Sequence, residues 1–164
     1  MKVAPRRCLG LLLAVAASLA ATQAWPAALT EAQVRAFFAE QQRAWNAGNL
    51  GAYFKGFQPD AIFIDQYRTP AGEIVPYGSS TLAKARVQTH RSRALARISE
   101  TGVVVRIAFS ADGRTAQLVS REVSRIQGAK GLRVTCAERR QELILAAGRL
   151  RSKGQTDTYA RCPR

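Results

Sequence analysis

The sequence predicts an α+β domain in which a curved antiparallel sheet of about five strands wraps on N-terminal helices. Three observations carry this. A capping box, Thr30-Glu31-Ala32-Gln33, opens a stretch of helical apolar spacing. From Val103 onward, β-branched and polar residues alternate between recurrent turn signals. The chain has 164 residues, 47% of them hydrophobic, which is globular composition sufficient for one core and too short for two.

Residues 1–24 read as a secretory leader, leaving 25–164 as a single domain. Lys2, Arg6 and Arg7 form its basic head, Leu9 to Ala21 its apolar stretch, and Thr22-Gln23-Ala24 offers small residues for cleavage, with Ser18-Leu19-Ala20 as a second candidate. The apolar run is short of the roughly 20 residues that span a bilayer. The expected destination is therefore export, to a periplasm or the medium, with no membrane span once the leader is removed.

The first helix starts at the Thr30 cap. Leu29 and Val34 can form a hydrophobic staple, and Val34, Phe37, Phe38 and Trp45 make one apolar face. Gly48 stops it, and Asn49 can cap a short second helix from Leu50 to Phe57. Ala61 to Asp65 reads as a strand. Gln66 to Gly78 reads as loop, punctuated by Pro70, Gly72, Pro76 and Gly78. Ser79 to about Ile98 is compatible with a helix. Four strands follow, over Val103–Phe109, Thr115–Ile126, Leu132–Ala146 and Leu150–Arg161, joined at Asp112-Gly113, Gly128 to Gly131 and Ala147-Gly148. Ala137 to Leu150 also has helical propensity, but the regular turn spacing on both sides favours strand.

The segments Ala44-Trp45-Asn46-Ala47-Gly48-Asn49-Leu50, Tyr53-Phe54, Phe57 and Pro59-Asp60-Ala61-Ile62-Phe63-Ile64-Asp65, together with Leu143 to Arg151, resemble the nuclear transport factor 2-like superfamily. That superfamily includes ketosteroid isomerases and polyketide cyclases, and the resemblance implies a cone-shaped fold over about residues 30–160. It also places Asp65 where the isomerases carry their general base. A carboxylate at the rim of an apolar cone suits proton abstraction next to a carbonyl. The isomerases' oxyanion donors are not matched. The tyrosine position on the first helix holds Gln41, and the late-strand acid falls near Arg140 to Glu142 with no counterpart. The candidate pocket residues are Gln41, Trp45, Tyr53, Phe57 and Tyr67. For Gln41 the alternatives are a core amide bonded across the sheet or a cavity-lining amide. For Asp65 they are a strand-end carboxylate with a structural partner or a base. Trp45, Tyr53 and Phe57 read as core or as ligand platform, and Tyr67 as a rim donor.

With 25 Lys+Arg against 11 Asp+Glu, the chain carries a formal charge of +14, which points toward anionic partners. Arg86, His90, Arg93 and Arg97 fall at steps of four, three and four, one stripe on a helix. The stripe reads either as a docking face for an anionic envelope polymer or as a solvated outer face. Nucleic acid is not expected, because the location is exported and no aromatic residue lies between Tyr77 and Phe109 to stack a base. No cofactor motif is present, and two cysteines with one histidine make no metal ligand set.

Cys8 leaves with the leader. Cys136 and Cys162 remain, and in an oxidising compartment they read as a structural disulfide. Paired across a two-residue turn at Ala147-Gly148 they would sit diagonally, so bonding requires a longer loop or a bulge. The leading functional expectation is a non-catalytic domain binding a small or anionic envelope ligand. The alternatives are an isomerase, lyase or hydrolase using Asp65, and a homodimerisation module, since the sheet of relatives often pairs face to face.

Overall fold

The computed structural model describes residues 28–146 and 148–163, so the leader expected over residues 1–24, with Cys8, lies outside the described residues. The elements run α1 (Glu31–Asn46), α2 (Leu50–Lys55), β1 (Phe57–Arg68), β2 (Ile74–Thr81), α3 (Leu82–Leu95), β3 (Ala96–Phe109), β4 (Thr115–Gly128), β5 (Gly131–Ala146) and β6 (Arg149–Ala160). The strands form one sheet in the order β2-β1-β6-β5-β4-β3. Neighbours are antiparallel except β1 and β6, which are parallel.

The capping box forms as the sequence predicts. The Thr30 hydroxyl accepts from the Gln33 N–H, and the Gln33 side chain accepts from the Thr30 N–H. Leu29, Val34 and Phe37 are buried against Ala116, Leu118 and Leu143 of the sheet. Gly48 takes φ +70°, ending α1, and Asn49 accepts from the Ala52 N–H to begin α2. A second cluster joins Leu50, Tyr53, Phe54 and Phe57 to Ala61 and Ala85. Asn46 closes α1 onto β3 like one more strand residue: its side chain donates to Glu100 O at 2.7 Å and accepts from Glu100 N–H at 2.8 Å.

Several expectations about element limits are corrected: α2 ends at Lys55 rather than Phe57, β1 spans Phe57–Arg68 rather than Ala61 to Asp65, and β3 begins at Ala96 rather than Val103. Ile74 to Thr81 is a strand where the sequence predicts loop to Gly78 and helix from Ser79, which makes the sheet six-stranded. It is an edge strand, and an edge accommodates Pro76 because one side of the strand needs no ladder N–H. The basic helix ends at Leu95, so Arg97 lies on β3.

The last hairpin contains a register shift between Gln141 and Leu143. Beyond it Cys136 pairs with Ala160, and Cys162, just past β6, reaches Cys136 with a Cα–Cα distance of 5.1 Å. The bulge supplies one residue of the displacement, and the disulfide spans the remaining diagonal, from Cys136 to the residue two beyond its partner Ala160. Nearby, β6 and β1 come so close that a Cβ on Gly154 would stand 2.3 Å from the Ile62 carbonyl oxygen. A backbone atom cannot swing aside, so Gly154→Ala is expected to lose about 1–3 kcal/mol in urea unfolding. A wild-type midpoint would show that the strands can separate without cost.

Candidate functional site

Side chains alternate along a strand, and pairing lines them up across strands. The register therefore places Gly78, Asp65, Asp157, Arg139 and Ser120 in one row crossing β2, β1, β6, β5 and β4. Glu100 reaches the same row from β3. Arg139 grips both acids through its guanidinium. Nη1 and Nη2 donate to Glu100 at 2.7 and 3.2 Å, while Nε and Nη2 donate to Asp157 at 2.8 and 3.1 Å. The side chains of Arg139, Glu100 and Asp157 are only 13%, 6% and 9% exposed. Ser124 Oγ donates to Glu100, Gln155 Nε2 donates to Asp157, and the Tyr53 hydroxyl donates to Gln155 Oε1. Burial opposes the charge of Arg139, but Asp157 and Glu100 outweigh it and hold the guanidinium firmly protonated.

Glu122 lies behind this row, accepting from Ser120 Oγ at 2.5 Å. Its cross-strand partner is Gly102, where a Cβ would stand 2.1 Å from Glu122 Oε2. Glycine there is what makes room for the carboxyl group. Burial pushes the Glu122 carboxyl above its ordinary range, with Arg139 pulling it back.

The network floors a cavity of about 510 Å³, walled on other sides by Trp45, Tyr53, Phe54 and Phe63, by Ile98 and Ile126, and by α3. Asp65 is half-buried in it. Desolvation raises its carboxyl above the usual range, and the charge of Asp157 raises it further; Arg139 and a hydrogen bond from Tyr159 act in the opposite direction. Unlike Asp157, Asp65 has no ion-pair partner among the described residues. Tyr159 is itself held protonated, by burial first and then by Asp157 and Asp65. Tyr77 also lines the cavity. The β2 pairing skips it, since Asp65 faces Gly78 and Gln66 faces Pro76, so Tyr77 is the extra residue of a bulge.

The sequence-predicted site residues separate into groups. Asp65, Trp45 and Tyr53 line the one cavity. Phe57 is core, packed on Phe63 at 4.8 Å between centroids, and does not line it. Gln41 is buried but its amide faces Gly56, and it borders a separate groove between the N-terminal helices and the end of the last hairpin. Tyr67 follows Asp65 on the strand, one row nearer the mouth, and stands outside the cavity beside Tyr77 at 6.2 Å. Asp65, Gln41 and Tyr67 therefore do not converge.

The predicted basic stripe is also divided. Arg86 and His90 are exposed on α3. Arg93 lies over Trp45 at 4.4 Å and donates to the Trp45 carbonyl at 2.5 Å, and Arg97 has left the helix. Arg86 sits over Phe54 at 6.0 Å. Arg139, Glu100, Asp157, Tyr77 and Tyr159 were not singled out in the sequence. Their signal was charged and hydroxylated side chains at alternate positions of half-buried strands. No cluster of three or more metal-holding side chains occurs among the described residues, and no helix there is long and apolar enough to cross a membrane.

No protein-family model and no curated protein matches the chain. Solved structures do. A ketosteroid isomerase-like protein from Erwinia carotovora atroseptica superposes with a TM-score of 0.63 at 11% identity, covering 82% of this chain and 100% of its own. An NTF-2 like protein of unknown function from Shewanella oneidensis gives 0.56 at 13% identity, covering 77% and 97%. A conserved protein from Planctomyces limnophilus gives 0.66 at 9% identity, covering 79% and 95%. The fold is the nuclear transport factor 2-like cone. At these identities the likeness extends to the fold and not to an activity.

Proposed function

We propose that this protein is an exported small-molecule-binding domain with the cone cavity as its site. The observation that carries the reading is that Asp65, alone among the interior carboxylates of the charged row, opens into a cavity of about 510 Å³ without a cationic partner. That volume falls within the range of about 300–1,000 Å³ typical of ligand pockets. The wall mixes aromatic and aliphatic side chains with a comparable set of polar ones, and among these Arg139, Glu100, Asp157 and Gln155 are fixed by their own hydrogen bonds, which suits binding with defined orientation. The interior arginine is engaged by Glu100 and Asp157, which leaves exposed Arg133 as the unpaired guanidinium among the described lining residues. Export is supported by the Cys136–Cys162 disulfide, which belongs in an oxidising compartment.

A catalytic reading has one observation in its favour. Burial holds the Asp65 carboxyl above the usual carboxylate range beside the donor hydroxyl of Tyr159, an arrangement that can take up and return a proton. Loss of turnover on Asp65→Asn, with ligand affinity retained, would favour it over simple binding.

Asp65→Asn is the direct test. A carboxyl whose folded pKa lies above its unfolded value weakens the fold as pH rises through that interval. The variant is therefore expected to match wild type near pH 3 and to be the more stable of the two at pH 7, by thermal melting. Ligands that raise the wild-type Tm should lose that effect. A variant less stable than wild type at pH 7 would make Asp65 a structural group and overturn the proposal.

A further inference from the structure

We infer that the cone takes the ammonium group of a small organic cation, held between the Asp65 carboxylate and the faces of Tyr77 and Tyr159. The inference rests on the cone-binding reading and goes beyond it by naming the ligand's charge. The first argument is charge balance. The interior row holds three carboxylates, Asp65, Asp157 and Glu100, against one arginine, Arg139. Glu122 lies behind them, with its carboxyl raised by burial. The other basic residue lining the cavity is Arg133, which is solvent-exposed on β5 and has no ion pair among the described residues. The site is thus acidic inside a chain whose formal charge is +14. A cation gains from this interior what it would not gain from the rest of the surface, and an anion loses.

The second argument is the aromatic surface. Tyr67, Tyr77 and Tyr159 form a continuous group at the mouth, with centroid separations of 6.2 Å for Tyr67–Tyr77 and 6.3 Å for Tyr77–Tyr159. Tyr77 and Tyr159 line the cavity with Asp65, and the bulge in β2 is what brings Tyr77 there. Ring faces carry negative quadrupole density and attract ammonium groups, most strongly where water is excluded. Behind them Trp45, Phe54 and Phe63 offer an apolar wall for the rest of the ligand. Carboxylate, tyrosine faces and apolar wall together are complementary to an amine on an aromatic or branched aliphatic body.

Three probes sharing one ring test this: benzylammonium, benzyl alcohol and benzoate, titrated calorimetrically into the leader-free protein and its variants. Benzylammonium is expected to bind at least 10-fold more tightly than benzyl alcohol, with benzoate the weakest. Asp65→Asn should abolish the preference. Tyr77→Leu, at a position 60% exposed where folding should be indifferent, should weaken benzylammonium by about 5-fold. Benzyl alcohol or benzoate binding as tightly as the ammonium would overturn the charge assignment and leave the cone-binding reading standing. Cation binding that survives both substitutions would place it elsewhere and also overturn the inference. Failure of all three probes to bind at millimolar concentration would overturn both readings.

Discussion

Arg139→Met is expected to cost about 3–5 kcal/mol of global stability, because it leaves two carboxylates buried without their cation. Glu100 and Asp157 each receive two hydrogen bonds from this guanidinium, and both side chains are less than a tenth exposed. Other donors remain, Ser124 on Glu100 and Gln155 on Asp157, but neither carries charge. Such a loss is a large part of the roughly 5–15 kcal/mol that holds a domain folded. Urea unfolding followed by circular dichroism measures it. Arg139→Lys should fall between the two, since an ammonium cannot present two forks at once. The triple variant Arg139→Met, Glu100→Gln, Asp157→Asn should recover much of the loss, because it removes the stranded charges along with their partner. A single Arg139→Met variant within about 1 kcal/mol of wild type, against the cost expected of a broken buried pair, would show that the row is solvated and that the cone has no fixed polar floor.

Removing the disulfide is the second large effect. Cys136 and Cys162 close a loop with a sequence separation of 26. Chain entropy then assigns the crosslink about 3.5 kcal/mol. For a domain of this size the double variant Cys136→Ala, Cys162→Ala should melt roughly 10 °C below wild type, and reductant should bring wild type to the same temperature. The effect is not confined to the end of the chain. β6 lies between β1 and β5 and carries Gln155, Asp157 and Tyr159, so loosening its terminus loosens the row that forms the site. A melting temperature unchanged by reductant would mean that pairing with β1 and β5 alone secures the strand.

Much of the architecture was legible in the residues. The Thr30 cap, the Gly48 stop, the Asp112-Gly113 turn and the alternation after Val103 each act through neighbours in sequence, and each appears where local chemistry puts it. The missed strand, Ile74–Thr81, failed for an instructive reason. Its proline and glycines are turn formers in isolation, and only its position at the sheet edge makes Pro76 harmless. The helix running past Leu95 in the sequence reading is cut short because Ala96 and Arg97 find ladder partners in Gly128 and Gln127.

The site was legible in part. Asp65 stands in the cavity, and Trp45 and Tyr53 wall it, while Gln41, Phe57 and Tyr67 do not. Helix phase put Gln41 on the inward face correctly, but inward there means toward Gly56 and not toward Asp65. Periodicity gives the side a residue faces and says nothing about its depth along that side.

The amino-acid sequence by itself determined the two N-terminal helices, the three long strands that follow Asp112-Gly113 with their turns, and which cysteines could meet. Only the tertiary structure decided that Asp65, Asp157, Arg139 and Glu100 share one interior, and that Tyr77 turns in beside them. Helices and hairpins are written by interactions between near neighbours, whereas that row is assembled by register between distant strands, including one parallel pair and two bulges. A shift of one residue in any of those pairings would send the same charges to the opposite face.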